Sequence, residues 1–109
     1  MPTFVTQGRL TGGYVQSGLT RPEDRQAALS KVCEEAGGRL IMLLFTLGEY
    51  DFLLISEMPD AMAAAAVALA ATGGGGMQGS VTSQAFTTAE AKELFSKAGK
   101  ISYKPMGSF

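Results

Sequence analysis

Histidine is absent from all 109 residues, and that one gap excludes more chemistry than any other feature of the composition. Ser-His-Asp and Cys-His nucleophiles both need an imidazole to take the proton, and histidine is a common ligand of haem and zinc. Cysteine is nearly absent too: Cys33 stands alone, so it closes no internal disulfide and builds no structural zinc or iron–sulfur site. No metal and no cofactor is expected. Any catalysis has to draw on carboxylates, Tyr, Lys, Arg, the thiol or a borrowed cofactor.

Charge of one sign is also missing. Nine Lys and Arg stand against ten Asp and Glu, for a formal net charge of −1, and the basic residues are spread along the chain. Such a chain has no field suited to neutralising phosphates, so nucleic acid is not expected as a partner. The longest apolar run, Leu40 to Phe45, falls far short of the roughly 20 residues of a membrane span. The opening MPTFVTQGRL has no basic segment, apolar run and small-residue cleavage site in succession. These readings point to a cytoplasmic protein without a membrane partner. The single thiol agrees with a reducing compartment.

What is present is an apolar chain, 46% hydrophobic and 17% charged, of a length suited to one folded domain. Its most informative stretch is Arg39 to Glu57, RLIMLLFTLGEYDFLLISE. Folding it back at Gly48 and Glu49, as a two-residue antiparallel hairpin, sets Phe45 opposite Phe52 and Met42 opposite Ile55. One face then carries Ile41, Leu43, Phe45, Leu47, Tyr50, Phe52 and Leu54. The other carries Leu40, Met42, Leu44, Leu53 and Ile55. A hairpin with one wet face alternates apolar and polar, so this pattern predicts cover on both sides. The helices of so short a chain suffice for one side only. The other side is left to a second copy of the chain or to a ligand.

The remaining elements follow from period and punctuation. Thr3 to Thr11 reads as a strand with Phe4, Thr6, Gly8 and Leu10 on one face. Gly12 to Gly18 reads as a glycine-rich loop. Thr20-Arg-Pro-Glu23 fits a capping box opening a helix to about Ala36, with Ala28, Leu29, Val32, Cys33 and Ala36 on one stripe and Gly37-Gly38 as its stop. Asp60 caps an alanine-rich helix to about Ala71, Gly73 to Gly76 release it, and a fourth strand lies within Met77 to Thr87. Thr87-Thr-Ala-Glu90 offers another capping box for a helix over about Ala89 to Ala98, aligning Ala91, Leu94, Phe95 and Ala98. The order predicts an α+β fold, ferredoxin-like βαββαβ with an extra C-terminal helix, over residues 1–99, followed by a tail at 100–109. Helices cover one face of a four-stranded antiparallel sheet. The bare face predicts pairing of two sheets in a dimeric α+β barrel, making the chain its own partner in a homodimer or higher oligomer.

Four segments carry a family likeness: the opening PTFVTQGRLT, the hairpin end Thr46-Leu-Gly-Glu-Tyr-Asp-Phe52, the Pro59-Asp60 helix start and the close Gln84-Ala-Phe-Thr87. Together, over roughly residues 2 to 98, they resemble the GYD domain family, whose motif is matched by Gly48, Tyr50 and Asp51. The resemblance implies the dimeric α+β barrel and no particular activity. Gly12 to Gly18, Gly73 to Gly76 and the tail look less typical of that family.

Several residues are candidates for a site. Tyr50 beside Asp51 could hold or move a proton, or the same residues could form a turn signature, with Asp51 bonding loop amides. Arg9, sharing a face with Gln7, could orient a small anion or simply meet solvent. Tyr14 could belong to a lid over a cleft or to an ordinary connection. Cys33 reads as a buried, inert thiol. Gly73 to Gly76 lack a following Lys-Ser or Lys-Thr and leave a helix instead of opening one, so a phosphate loop is not expected. Two functions follow. One is an oligomeric binding or assembly module holding a small apolar or anionic ligand between subunits, in the barrel interior or an intersubunit cleft, with Arg9, Tyr14, Tyr50 and Asp51 as its candidate ligand-binding residues. The other is a cofactor-independent isomerase or monooxygenase acting on a small aromatic or enol-type substrate, with Asp51 as base and Tyr50 or Arg9 steadying negative charge. A third reading makes sheet pairing the whole role.

Overall fold

The computed structural model describes residues 1–107, so the tail expected at 100–109 is described as far as residue 107 and its last two positions lie outside the described residues. The chain runs β1 (Thr3–Leu10), α1 (Gly12–Thr20), α2 (Gln26–Glu35), β2 (Arg39–Phe45), β3 (Phe52–Glu57), α3 (Ala61–Gly73), β4 (Met77–Ala85) and α4 (Thr88–Gly99). The strands form one four-stranded sheet in the order β2-β3-β1-β4, with every pair antiparallel. Omitting α1 and α4 leaves the ferredoxin-like βαββαβ arrangement that the element order predicts.

One sheet face is packed by helices. Phe4, Phe52, Leu54, Met58 and Met77 are buried there against Cys33 and Ala64, and α3 approaches closely because its side chains are mostly methyl groups. The α2 stripe is as expected, with Ala28, Leu29, Val32 and Ala36 half-buried around a fully covered Cys33. Burial pushes the Cys33 thiol pKa up, and the charge of Glu34 adds to it. The unfolded thiol ionises near 9.0 and the folded one at a higher pH, so the native state is the one that keeps its proton. Its contribution is complete below the unfolded value and is lost as pH rises through the folded one. Accordingly, a thiol reagent at pH 8 should modify Cys33 at once in denaturant and only at the rate of local opening in the native protein. Immediate stoichiometric labelling of the native protein would contradict this burial.

The hairpin keeps the expected pairs from Met42↔Ile55 to Phe45↔Phe52, but its register shifts between Leu40 and Met42. Ile41 bulges, and Leu40 swings onto the helix side, where it packs against the core; the expectation that Leu40 shares a face with Met42 is corrected. The turn is also longer than two residues. The Thr46 amide donates to the Asp51 carbonyl at 2.8 Å, so residues 47–50 form the tip, with Gly48 at φ 151°.

Two further expectations are corrected near the N-terminal side. Gly12 to Gly18 belong to a helix, because Thr11 caps it through its hydroxyl, which accepts the Tyr14 amide at 3.1 Å. Thr20 does not cap the next helix: it ends α1, and its hydroxyl donates to the Gln16 carbonyl at 3.0 Å. Pro22 disfavours helical geometry at the residue before it, and Arg21 is extended at φ −140°, ψ 83°. The second helix therefore starts only at Gln26, whose amide donates to the Asp24 carboxylate at 2.9 Å.

At the other end, the Thr87/Glu90 capping box forms as expected. Yet α4 buries no residue, and its Leu94 and Phe95 are exposed. The radius of gyration, 17.6 Å, exceeds the roughly 13 Å of a compact chain of this length, as an arm standing off the body requires. The second sheet face is uncovered as well. Val5, Leu53 and Ile55 lie at its centre, flanked by Met42, Leu44 and Val81, and no described element packs over them.

Candidate functional site

The hairpin tip is bound to the first strand. The β1–β3 ladder ends at Gly8↔Phe52, and Asp51 takes over from there. Its amide donates to the Gly8 carbonyl at 2.8 Å, and its Oδ2 accepts the Leu10 amide at 2.9 Å. Thr46 Oγ1 donates to the Tyr50 carbonyl at 2.8 Å, which tightens the tip. Arg9 Nε donates to the Glu49 carbonyl at 3.0 Å, and its guanidinium carbon lies 5.5 Å from the centre of the Tyr50 ring, within cation–π range. Arg9, Tyr50 and Asp51 thus meet in one cluster. Tyr14 lies elsewhere, on α1.

What this cluster does visibly is brace the turn, since the Asp51 side chain supplies the Leu10 amide with an acceptor on the side where the β3 ladder has ended. Asp51→Ala leaves that partly buried amide unpaired and should cost about 1–3 kcal/mol in urea denaturation. Asp51→Asn, which can still accept the same bond, should recover part of the loss. Equal stability of all three proteins would show the bond to be idle.

A second constellation forms where α1 meets the glycine run after α3. The Thr11 hydroxyl donates to the Gly75 carbonyl at 2.5 Å, and the Thr11 amide donates to the Gly76 carbonyl at 3.3 Å. A Cβ at Gly76 would lie 3.2 Å from Cδ2 of Tyr14, so the missing side chain lets the Tyr14 ring lie against the chain. Behind that ring, α2 and α3 leave the sheet incompletely filled. The gap is a cavity of about 340 Å³, lined by apolar side chains including Leu29, Leu43, Phe52, Leu54, Val67 and Met77. Outside it lies a broader cleft of about 770 Å³ between α1, the 21–25 connector and Gly74 to Gly76. Leu10, Tyr14, Arg25, Phe45, Gly74 and Gly76 line both and form the throat between them.

Arg25 is the charged group of that throat. Its Nη1 donates to Glu23 Oε1 at 2.5 Å, whereas its Nε is buried without a hydrogen-bond partner among the described residues. The bond to Glu23 raises the guanidinium pKa, burial opposes it, and Tyr14 adds to the rise. Arg25 and Glu23 are not among the residues that the sequence marks as a site. The charged run Arg21-Pro-Glu-Asp-Arg25 is the available signal, and read as a helix start it conceals the connector. Among the described residues, no group of three or more Cys, Asp or Glu gathers to hold a metal ion, and no helix is long and apolar enough to cross a membrane.

The architecture is that of a ferredoxin-like α+β domain whose central hairpin turns on Gly48, Tyr50 and Asp51. The GYD domain family model matches residues 4–95, and the chain belongs to that family. Among solved structures, the crystal structure of TTHA0845 from Thermus thermophilus is similar, with a TM-score of 0.51 and 19% sequence identity, covering 81% of this chain and 96% of that one. The likeness is one of fold. No match is found among curated proteins.

Proposed function

We propose that this protein is a small cytoplasmic binding module that works as a homo-oligomer, its subunits joined through the open faces of their sheets and holding a small apolar or anionic ligand. The observation that carries this reading is the uncovered apolar face. Val5, Leu53 and Ile55 sit on the two central strands, with Met42, Leu44 and Val81 around them, where a monomer would need polar side chains to face water. The same face on a second copy is self-complementary by symmetry, and pairing the two makes a barrel with helices outside. The α4 arm supports the reading, because its exposed Leu94 and Phe95 have nothing to pack on within the subunit body. The brace formed by Asp51 supports a structural part for the hairpin tip, which favours binding over a cofactor-independent isomerase or monooxygenase.

Light scattering on a size-exclusion column tests the assembly directly. The expected mass at low micromolar concentration is a multiple of the 11.4 kDa subunit. A fully folded monomer under those conditions would defeat the proposal.

A further inference from the structure

We infer that the cavity between α2, α3 and the sheet is a binding site for a small amphiphilic carboxylate, its apolar body inside and its carboxylate at Arg25 in the throat. The inference deepens the ligand-binding part of the proposed function and is independent of how the subunits associate. It starts from a mismatch in the core: helices cover this sheet face, yet a volume of about 340 Å³ remains within it. That lies in the range of small-molecule pockets, about 300–1,000 Å³. Leu29, Leu43, Leu54, Val67 and Met77 make its wall apolar, which selects a hydrocarbon or aromatic body.

The polar groups are few: Thr6, whose hydroxyl is hydrogen-bonded to that of Thr82, lies in the cavity wall, and Tyr14 and Arg25 lie at the throat. A guanidinium presents its donors in a planar fork that fits a carboxylate. At Arg25, Nη1 is taken by Glu23 and the guanidinium also interacts with Tyr14, while the buried Nε itself has no hydrogen-bond partner among the described residues. A buried donor left unpaired is costly, and an acceptor brought by a ligand would remove that cost. Arg21 lines the outer cleft as well, so the charged groups of its lining are two guanidiniums and the one carboxylate of Glu23. Tyr14 completes the throat. Its helix is rich in glycine, buries no residue and is attached through Thr11 to the Gly75 and Gly76 carbonyls, so the ring can be displaced without disturbing the core. The two glycine-rich segments that look least typical of the family are the ones that frame this throat.

Three ligands with one tail and different heads separate the contributions: octanoate, 1-octanol and octylamine, titrated calorimetrically into the full chain. Octanoate should bind saturably and about tenfold or more tightly than octanol, as expected for a charge-assisted contact, with the amine weakest. Arg25→Gln should erase the advantage of octanoate while leaving octanol binding in place. Glu23→Gln, an exposed change that frees the guanidinium and removes a like charge, should tighten octanoate several-fold and so tests the site even if Arg25→Gln folds poorly. In methyl NMR, octanoate should shift Leu29, Leu54, Val67 and Met77 before Val5, Leu53 and Ile55. Absence of saturable binding, equal binding of acid and alcohol, weaker octanoate binding by Glu23→Gln, or shifts confined to the open sheet face would each overturn the inference. Unchanged octanoate binding by a monomeric Ile55→Glu protein would leave it standing. A monomeric wild type that binds octanoate would remove only the assembly proposal.

Discussion

Gly38→Ala is expected to cost about 3 kcal/mol or more of folding stability, out of the roughly 5–15 kcal/mol that holds a small domain together. A Cβ built at Gly38 would lie 2.1 Å from the carbonyl oxygen of Glu57 and 2.7 Å from the sulfur of Met58. The sulfur belongs to a side chain that can rotate, although Met58 is itself fully buried. The oxygen belongs to the end of β3 and moves only if the Arg39↔Glu57 register gives way. The Gly38 amide is also committed, donating to the Cys33 carbonyl at 3.0 Å to close α2. Strand and helix end are therefore held on both sides of the clash. Thermal unfolding should show the midpoint lowered by roughly 12–24 °C, taking about 4–8 °C per kcal/mol for a domain of this size. Gly99→Ala, where a Cβ would meet nothing within 4 Å, serves as the matched control and should unfold as wild type does. A Gly38→Ala protein as stable as that control would mean the two chain segments are not in contact as described.

Ile55→Glu is expected to break the proposed sheet-to-sheet oligomer, raising its dissociation constant by about a thousandfold or more, because a carboxylate would have to be buried without a partner. Ile55 is the appropriate position. It is paired with Val5 on one side and Met42 on the other, so it sits within the apolar face and away from the Arg39–Glu57 ion pair at the rim. In an isologous interface each substitution occurs on both subunits, which doubles its effect. The isolated subunit should tolerate the change, since the side chain then meets water and no core contact is lost. Sedimentation equilibrium should give the subunit mass with an unchanged circular dichroism spectrum. Retention of the wild-type oligomer would show that the subunits associate through some other surface, with the exposed stripe of α4 the next to mutate.

The hairpin can be read without coordinates because its signal is local. Period-two patterning assigns faces to Met42 through Phe45 and to Phe52 through Ile55, and the apolar content of both faces indicates that one will be left bare. Asp60 and Thr87 are equally legible, since an N-cap acts on amides within its own first turn. Arg9, Tyr50 and Asp51 can be picked out as a group of polar residues near a turn. Their arrangement cannot, because the acceptor of the Leu10 amide is a side chain 41 residues further on. Leu40 falls on the wrong face of the pattern for a related reason. A bulge at Ile41 costs one residue of register and leaves no mark in the sequence.

The throat is the least legible part. Thr11 looks unimportant beside the glycines that follow it, and Pro22 is as good at opening a helix as at breaking one, so local signals mislead at both ends of the Gly12 to Arg25 region. Tyr14, Arg25 and Gly76 come together only after β4 has paired with β1 through Leu10↔Met77. Short-range patterning, caps and composition are enough to define the four strands with the helices α2, α3 and α4, the ferredoxin-like class, the buried thiol and the excess apolar face, since each depends on residues a turn or a strand pair apart. The cavity, the buried Nε of Arg25 at its throat and the detachment of α4 emerge only from packing, because they depend on how well distant surfaces fit, and fit is a property of the assembled shape.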